Sequence, residues 1–354
     1  MALVGIVAMW NGPHRPTLVA IWADWSLGVR EQSGFDLLAR REPAGSAILK
    51  SLGDGPHPGA VTKIEVKPLP SSSMLMIERI TYSSSDGDNV AAIIGYPEGQ
   101  GSPRGLVLAL HQTTDCGMLE PMGLCGNPEL AFGTLLQQSG YMVVAPEAFA
   151  TRVALPPSKR WLTTEFYQRH PAWSAMGKML ADNKAALSTG VDAYRRRYGA
   201  EPDCIAAVGH SLGAHNALFL AAFDQRVDAV VASAGFERMA SDKEAIRWAR
   251  DEGFVYMPAL ADAVRGKAPL TWDWEDVLMQ VYPRGAKIVQ GLADPIFTNE
   301  ISVAQSARGV QEAYRQGGHA HMFDVHLWPG GHAFPISLQK ESAEFIAKAC
   351  AETG

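Results

Sequence analysis

The stretch Gly209-His210-Ser211-Leu212-Gly213 decides the fold because of what surrounds it. The apolar run 204–208 precedes it, and the run 212–223, which has small residues in its first turn, follows it. The motif therefore lies on a predicted bend from strand to helix, where two glycines avoid a Cβ clash and the serine hydroxyl projects above the sheet. The five-residue pattern alone is a weak signal, but on such a bend it is typical of a nucleophile elbow.

Apolar runs and helical patterns alternate on both sides of this bend. The predicted strands are residues 74–82, 90–96, 105–110, 141–145, 204–209, 228–233, 286–290 and 322–328. The predicted helices between or after them are residues 182–198, 212–223, 301–315 and 336–349. The first two strands are joined by a turn-rich cluster and form a hairpin. A hairpin followed by strand-helix units predicts an α/β fold, with one mostly parallel sheet and helices on both faces.

Domain organisation follows from where this alternation begins and where it is interrupted. Residues 1–72 are predicted to form an N-terminal extension, either an arm or a packing segment, with a short helix around 35–41. Residues 73–354 are predicted to form the main domain. Two long, aromatic-rich insertions, 146–180 and 236–285, follow the fourth and sixth predicted strands. Insertions at the carboxyl ends of parallel strands build the pockets of such sheets, so 236–285 is expected to be cap-like.

The composition excludes several classes of protein. Of the 354 residues, 47% are hydrophobic and 19% are charged, and the mean hydropathy is -0.04, which argues against disorder. A formal net charge of -6 provides no basic field for a phosphate backbone, so no nucleic-acid partner is predicted. No apolar run approaches the roughly 20 residues that span a bilayer, so no integral membrane association is predicted.

The four cysteines, Cys116, Cys125, Cys204 and Cys350, form no Cys-x-x-Cys pair and are too few for a disulfide framework in so long a chain. We expect unpaired thiols in a reducing compartment and therefore a cytoplasmic protein. If the protein were exported, Cys116 and Cys125 could form a bridge within one loop.

Three further segments, each placed after a predicted strand, accompany the elbow. They are Leu110-His111-Gln112-Thr113, Gly291-Leu292-Ala293-Asp294-Pro295 and Gly330-Gly331-His332. With them, residues 74–350 resemble the α/β-hydrolase superfamily, and within it the dienelactone-hydrolase-like and acetyl-xylan-esterase-like bacterial esterases. The resemblance implies the α/β-hydrolase fold and a serine-dependent hydrolysis of carboxylic esters that uses no cofactor and no metal.

A serine hydroxyl is a poor nucleophile at neutral pH, so it needs a base nearby and a carboxylate that orients the base. His332 and Asp294 are the predicted partners of Ser211, because both follow predicted strands in the superfamily's order of Ser, Asp and His. Glu237, just after the sixth predicted strand, is the alternative acid. Asp324 is a weaker candidate, since it lies within a strand.

Attack on an acyl group also requires two N–H donors for the oxyanion. The amide of Leu212, which follows the nucleophile, is the first predicted donor. The second is the amide of Thr113, with that of Gln112 as the runner-up. Relatives usually carry His-Gly-x at this loop, so His111-Gln112-Thr113 departs from their pattern.

Other polar and aromatic side chains of these segments are assigned to the surroundings of the site. Candidate pocket residues are His111, Glu120, Trp248 and Trp272. His111 and His210 are expected to support the site without transferring protons. His215, on the helix after the elbow, is expected to be a packed polar residue.

The predicted function is a serine hydrolase that cleaves a small or aromatic carboxylic ester through an acyl-enzyme intermediate. A peptidase, a thioesterase or an acyltransferase would use the same triad. Two rivals are a non-catalytic binding protein and a metal-dependent hydrolase, the latter suggested by His319, His321, Asp324 and His326. Strand alternation places His321 and Asp324 on opposite faces, which argues against a shared metal. The expected partner is a small-molecule ester, and the N-terminal arm could support a homo-oligomer.

Overall fold

Nine strands form one sheet in the computed structural model, which describes residues 34–53, 65–68, 75–84, 87–99, 101–152, 154–155, 160–161, 163–249 and 254–353. In chain order the strands are β1 Glu65–Pro68, β2 Met76–Ser83, β3 Asn89–Tyr96, β4 Leu106–Leu110, β5 Met142–Pro146, β6 Ile205–His210, β7 Ala229–Ser233, β8 Gly285–Gly291 and β9 Phe323–Trp328. Their order across the sheet is β1-β2-β3-β5-β4-β6-β7-β8-β9.

The sheet begins antiparallel and becomes parallel. Strands β1, β2, β3 and β5 pair antiparallel in that order, and every later pair is parallel. The residues of β4, β5, β6, β7 and β8 are all buried, as expected for parallel strands covered on both faces. Because parallel strands share one direction, the loops that follow β4, β6, β7 and β8 meet at one edge.

Helices cover the sheet in two groups. The α-helices are α1 Gly34–Ala39, α2 Arg41–Leu52, α3 Phe132–Gln138, α4 Phe149–Arg152, α5 Thr164–Arg169, α6 Ala175–Tyr198, α7 Leu212–Phe223, α8 Ala261–Val264, α9 Trp274–Val281, α10 Glu300–Gln316 and α11 Ile336–Thr353. Helix α7 packs against α6 and α9, while α3 and α11 pack against each other. The predicted α/β class, with a mostly parallel sheet and helices on its faces, is confirmed.

All eight predicted strands are present, with bounds that differ by one or two residues. The predicted opening hairpin is the antiparallel pair β2 and β3, in which Met76 faces Tyr96. Strand β1 was not predicted, because a four-residue strand that ends in proline has too short a pattern to recognise. It pairs with β2, so the sheet begins inside the predicted extension 1–72.

The described part of that extension packs on the main domain. Leu37, Ile48 and Leu52 of α1 and α2 are buried in the hydrophobic core. The Ser51 hydroxyl accepts a hydrogen bond of 2.9 Å from the indole N–H of Trp272. Residues 34–52 therefore pack on the main domain, whereas residues 1–33 of the predicted extension lie outside the described residues. That the extension 1–72 supports a homo-oligomer stays a prediction.

All four cysteines are paired, so the prediction of unpaired thiols is wrong. Cys116 bonds Cys125 across nine residues, and Cys204 bonds Cys350 across 146 residues. The second pair forms because the last helix, α11, returns to the start of β6 and brings the two Cα atoms to 5.5 Å. Such a long-range contact cannot be read from sequence spacing.

Across the described residues, no helix combines the length and the apolar character needed to cross a bilayer.

Candidate active site

The elbow between β6 and α7 holds Ser211 in a strained backbone conformation. Ser211 has φ 55° and ψ -119°, a region that non-glycine residues rarely adopt and that costs on the order of 1–3 kcal/mol. Its amide donates to the carbonyl of Ser233 at the end of β7, at 2.8 Å. Packing around the bend therefore fixes the strained residue, as a nucleophile elbow requires.

The glycines that flank the serine are required by close backbone contacts. A Cβ on Gly209 would lie 2.0 Å from the carbonyl oxygen of Gly213. A Cβ on Gly213 would lie 1.9 Å from the carbonyl oxygen of Leu110 and 2.8 Å from that of His111. Because Gly213 has no side chain, the first turn of α7 packs directly against the end of β4 and the loop that follows it.

His332 and Asp294 form a hydrogen-bonded pair beside this bend. The Nδ1 atom of His332 lies 2.8 Å from Oδ2 of Asp294. The amides of Ile296 and Phe297 donate to Oδ1 of Asp294 at 2.8 and 3.0 Å, and the Gln290 amide reaches Oδ2 at 3.2 Å. These donors fix the carboxylate, which in turn orients the imidazole ring.

The charge state of the pair suits this geometry. Burial alone would raise the pKa of Asp294, but the hydrogen bonds from His332 and from the amides of Phe297 and Ile296 hold it below its usual range. Asp294 is therefore ionised at neutral pH, which is the charge state that the acid of a catalytic triad requires.

His210 flanks the catalytic candidate as a neutral ring. Its ring centroid lies 4.8 Å from that of His332, and its Nδ1 atom lies 3.1 Å from the hydroxyl of Ser233. Burial, followed by the proximity of His332, lowers the pKa of His210 to about 3. The predicted supporting role fits this position, because a neutral ring packs against His332 without competing for the proton.

Glu237, the alternative acid, lies beside Asp242 and Asn299. Its side chain is buried, and burial followed by the nearby Asp242 carboxylate raises its pKa to about 7. It accepts a hydrogen bond from the backbone N–H of Asn299. The carboxylate that contacts His332 is that of Asp294, so the geometry favours the first candidate.

A cavity of about 470 Å³ opens over the elbow. Its lining residues are Gln112, Thr113, Met176, Ser211, Leu212, His215, Glu244, Arg247, Trp248, Tyr256, Met257, Trp274, Ile296, Phe297 and His332. Ser211, His332 and both segments predicted to donate to an oxyanion thus meet in one pocket. Its size is at the lower end of the range for small-molecule sites.

An aromatic cluster of four rings forms one wall of this cavity, and two of them, Trp248 and Trp274, come from the insertion 236–285. The ring of His215 stacks on Trp274 at 4.8 Å and meets the edges of Trp248 and Phe297 at 4.9 and 5.8 Å. Burial lowers the pKa of His215 to about 3, so the ring is neutral. His215 is packed, as predicted, but it also lines the pocket. The sequence signal for a place in the pocket is its position four residues after Ser211, because residues four apart lie on the same face of a helix.

Arg247 places a fixed cation at the edge of the cavity. Its Nε atom lies 2.8 Å from the Asp242 carboxylate, and its guanidinium lies 5.5 Å from the ring centroid of Phe297. It also donates to the carbonyl of Ile296, which belongs to the loop after Asp294. This hydrogen bond connects the insertion 236–285 to the loop that carries Asp294.

Three candidate pocket residues lie behind the lining. Trp272 is buried and donates to Ser51, so it joins the insertion to α2. His111 is buried and bonds backbone groups, and Glu120 is buried and accepts from the Gln112 side chain at 3.0 Å. Of the four candidates, Trp248 contacts the cavity. These segments are irregular, so no alternation of polar and apolar residues distinguishes side chains that line the cavity from side chains buried behind it.

Three of the four residues considered for a metal contact separate partners. Asp324 pairs with Lys287, His326 lies 3.1 Å from Glu341, and His321 lies 3.7 Å from Glu352. These contacts place each side chain with a different partner.

Comparisons with known proteins give the same architecture. No family model matches the chain, and no curated protein matches its sequence. Among solved structures, it is similar to a glucuronoyl esterase from Solibacter usitatus, with a TM-score of 0.65 and 12% identity over 92% of this chain and 95% of the other.

Two further solved structures extend this likeness. A CE15 glucuronoyl esterase from Teredinibacter turnerae matches with a TM-score of 0.62 and 15% identity over 90% and 86% of the two chains. A putative acetyl xylan esterase from Bacteroides fragilis matches with a TM-score of 0.60 and 15% identity, over 85% of this chain and 77% of the other. At these identities the likenesses establish the fold alone. They confirm the fold predicted from the sequence, one mostly parallel sheet of the α/β-hydrolase type with helices on both faces.

Proposed function

We propose that the protein is a serine hydrolase that cleaves a carboxylic ester through an acyl-enzyme intermediate. The observation that carries the proposal is that His332, which bonds the buried Asp294, lines the same cavity as the strained Ser211. A buried carboxylate that holds one imidazole nitrogen leaves the other, Nε2, to act on a serine proton. The esterases with this fold named above support ester hydrolysis over other acyl transfers.

In the proposed reaction, Oγ of Ser211 attacks the ester carbonyl and its proton passes to Nε2 of His332. Asp294 stabilises the imidazolium that forms. The oxyanion is bound by the amide of Leu212, which has no intrahelical acceptor at the first position of α7, and by the amide of Thr113. His332 then protonates the leaving alcohol, the alcohol departs, and an activated water molecule releases the acid and regenerates Ser211.

The cavity supports a small or aromatic substrate. Its aromatic wall and volume of about 470 Å³ suit a compact acyl or alcohol group better than a long acyl chain. A series of p-nitrophenyl esters from acetate to decanoate would test this, with turnover expected to fall as the chain lengthens. A methyl glucuronate ester and acetylated xylan belong in the same panel, because the structural neighbours are named for such substrates. Best turnover on the longest chain would contradict the size argument.

Two disulfides also support an oxidising location for the protein. This replaces the expectation of a reducing, cytoplasmic environment, which rested on unpaired cysteines. Mass spectrometry of the protein isolated from its native host, after blocking free thiols, would show four unblocked cysteines if this location is correct.

Labelling with a fluorophosphonate probe tests the chemistry directly. The folded protein should be modified at Ser211, and Ser211→Ala should lose both labelling and hydrolysis of p-nitrophenyl acetate. Ser241→Ala, at an exposed serine of the insertion, is the matched control and should keep both. An unlabelled wild-type protein would instead support the non-catalytic binding role.

A further inference from the structure

His111 holds the loop after β4 through two hydrogen bonds of opposite sense. The backbone N–H of Ala148 lies 2.9 Å from Nε2 of the ring, and the carbonyl oxygen of Gln112 lies 2.6 Å from Nδ1. A backbone N–H can only donate, so Nε2 accepts and the proton is on Nδ1. The Nδ1–H group therefore donates to the carbonyl of Gln112.

This tautomer is fixed by the surroundings of the ring. The His111 side chain is 1% exposed, and the carboxylate of Glu147, at 3.7 Å from Nε2, is beyond hydrogen-bond distance. The amide of Ala148, which follows β5, occupies the Nε2 position. His111 thus connects the ends of β4 and β5 through one neutral imidazole.

The bond to Gln112 determines the direction of the next amide. The Gln112–Thr113 peptide is trans, so its C=O and N–H groups point in opposite directions. Because the carbonyl is turned toward the buried ring of His111, the N–H of Thr113 is turned away from it. Thr113 lines the cavity with Ser211 and Leu212, on the side of the loop away from the buried ring, and this is where the inference places its N–H.

We infer that His111 is a positioning residue, which aims the Thr113 amide at the oxyanion through the carbonyl of Gln112. The inference rests on the proposed function and selects Thr113 over Gln112 as the second donor. The Gln112 side chain is bound separately, because its amide donates to the buried Glu120 at 3.0 Å. Loss of one oxyanion donor reduces kcat by about 100-fold or more, so loss of its aim should have a similar effect.

Two substitutions separate the two bonds of His111. His111→Asn keeps an N–H donor near the Nδ1 position and loses the acceptor for Ala148. His111→Gln reaches the Nε2 position with an acceptor and loses the donor for Gln112. We expect the asparagine variant to keep kcat on p-nitrophenyl acetate within about 10-fold, and the glutamine variant to lose about 100-fold with little change in KM.

The thermal midpoint distinguishes positioning from simple structural support. Each variant removes one hydrogen bond, so both should lose similar stability. A merely structural His111 would give equal kcat values in the two variants, and that result would overturn the inference. If His111→Gln yields no folded protein, His111→Ala replaces it, since it also lacks the donor.

Affinity for a boronic acid that forms a tetrahedral adduct on Ser211 gives a second readout. It should fall in parallel with kcat in the glutamine variant and not in the asparagine variant. Failure of the proposed function would appear differently, as a wild-type protein that fluorophosphonate does not label.

Discussion

Two buried acids, Asp294 and Glu237, are candidates for the carboxylate that orients His332, and single substitutions separate their roles. Asp294 bonds His332, whereas Glu237 accepts from the backbone of Asn299. Asp294→Asn should lower kcat by about 10⁴-fold, because an amide can hold the wrong imidazole tautomer and cannot stabilise the imidazolium. Glu237→Gln should remain within about threefold of wild type in assays of p-nitrophenyl acetate at pH 8. A greater loss in the glutamine variant would make Glu237 the acid.

The close approach of α7 to β4 gives a second prediction for a single residue. Gly213→Ala places a methyl group 1.9 Å from the Leu110 carbonyl oxygen, which can be relieved only by moving the elbow or the loop after β4. We expect a loss of at least about 3 kcal/mol in the free energy of unfolding, measured with urea, and little remaining activity.

Gly101→Ala is the control for that experiment, because a Cβ at this glycine has open space around it. Its free energy of unfolding should change by less than about 1 kcal/mol. Similar losses in the two variants would show that the contact at the elbow can relax.

The sequence predicts a triad of Ser211, Asp294 and His332, and the structure brings Asp294 and His332 into contact. Ser211 is marked by its glycines, and His332 and Asp294 follow strands in a fixed order. Trp272, which the sequence assigns to the pocket, does not line the described cavity, because an irregular insertion has no period that separates its two faces. Its contact with Ser51, 221 residues away, is set by tertiary packing.

Secondary structure was predictable where the pattern was long. Helix α7 has the predicted bounds, and the buried parallel strands appear as apolar runs. Helix α6 starts at Ala175, seven residues before the predicted Asp182, because Ser174 caps it by accepting from the amide of Gly177 at 2.9 Å. A cap inside an aromatic insertion was not recognised as a helix start.

One disulfide closes a loop and the other connects β6 to α11, so their removal should affect activity and stability differently. Cys116–Cys125 closes the loop that carries Glu120, and Glu120 binds the side chain of Gln112 beside the cavity. Replacing both cysteines with alanine should reduce kcat by at least about 10-fold, because a small misplacement of a catalytic loop is costly.

The second disulfide provides the matched comparison. Cys204 precedes β6, whose six residues separate it from Ser211 by roughly 20 Å. The double substitution Cys204→Ala with Cys350→Ala should lower stability by about 2 to 4 kcal/mol and leave kcat unchanged at a temperature where the protein is folded. An equal loss of kcat in the two double variants would show that neither bridge acts through the loop after β4.

At the scale of the whole molecule, buried carboxylates make stability depend on pH. Burial is the first cause that raises the pKa of Glu237 and of Asp273 to about 7 and that of Asp276 to about 6. A raised pKa means that the folded protein holds more protons than the unfolded chain between about pH 4 and pH 7. Each of these groups therefore contributes stability at low pH that is lost as the pH rises through its folded pKa.

Glu237 is the group in which this effect can be isolated. One carboxylate oxygen of this buried side chain has no hydrogen-bond partner among the described residues, so ionisation is poorly compensated. Glu237→Gln should remove the penalty and raise the free energy of unfolding at pH 8 relative to wild type, by on the order of 2 kcal/mol. At pH 5 the difference should be much smaller, because the wild-type side chain is then protonated.

Comparing the variant with the wild type at each pH cancels the contributions of the other titrating groups to the free energy of unfolding. This is necessary because His210 and His215, whose pKa values burial lowers to about 3, oppose the trend by favouring the folded state as pH rises. Urea unfolding at pH 5 and pH 8 measures the four free energies, and Glu244→Gln, at an exposed residue, is the control that should show no such difference. A stabilisation of Glu237→Gln that is equal at both pH values would mean that the carboxyl group does not ionise between them, and that its effect on the fold is one of packing alone.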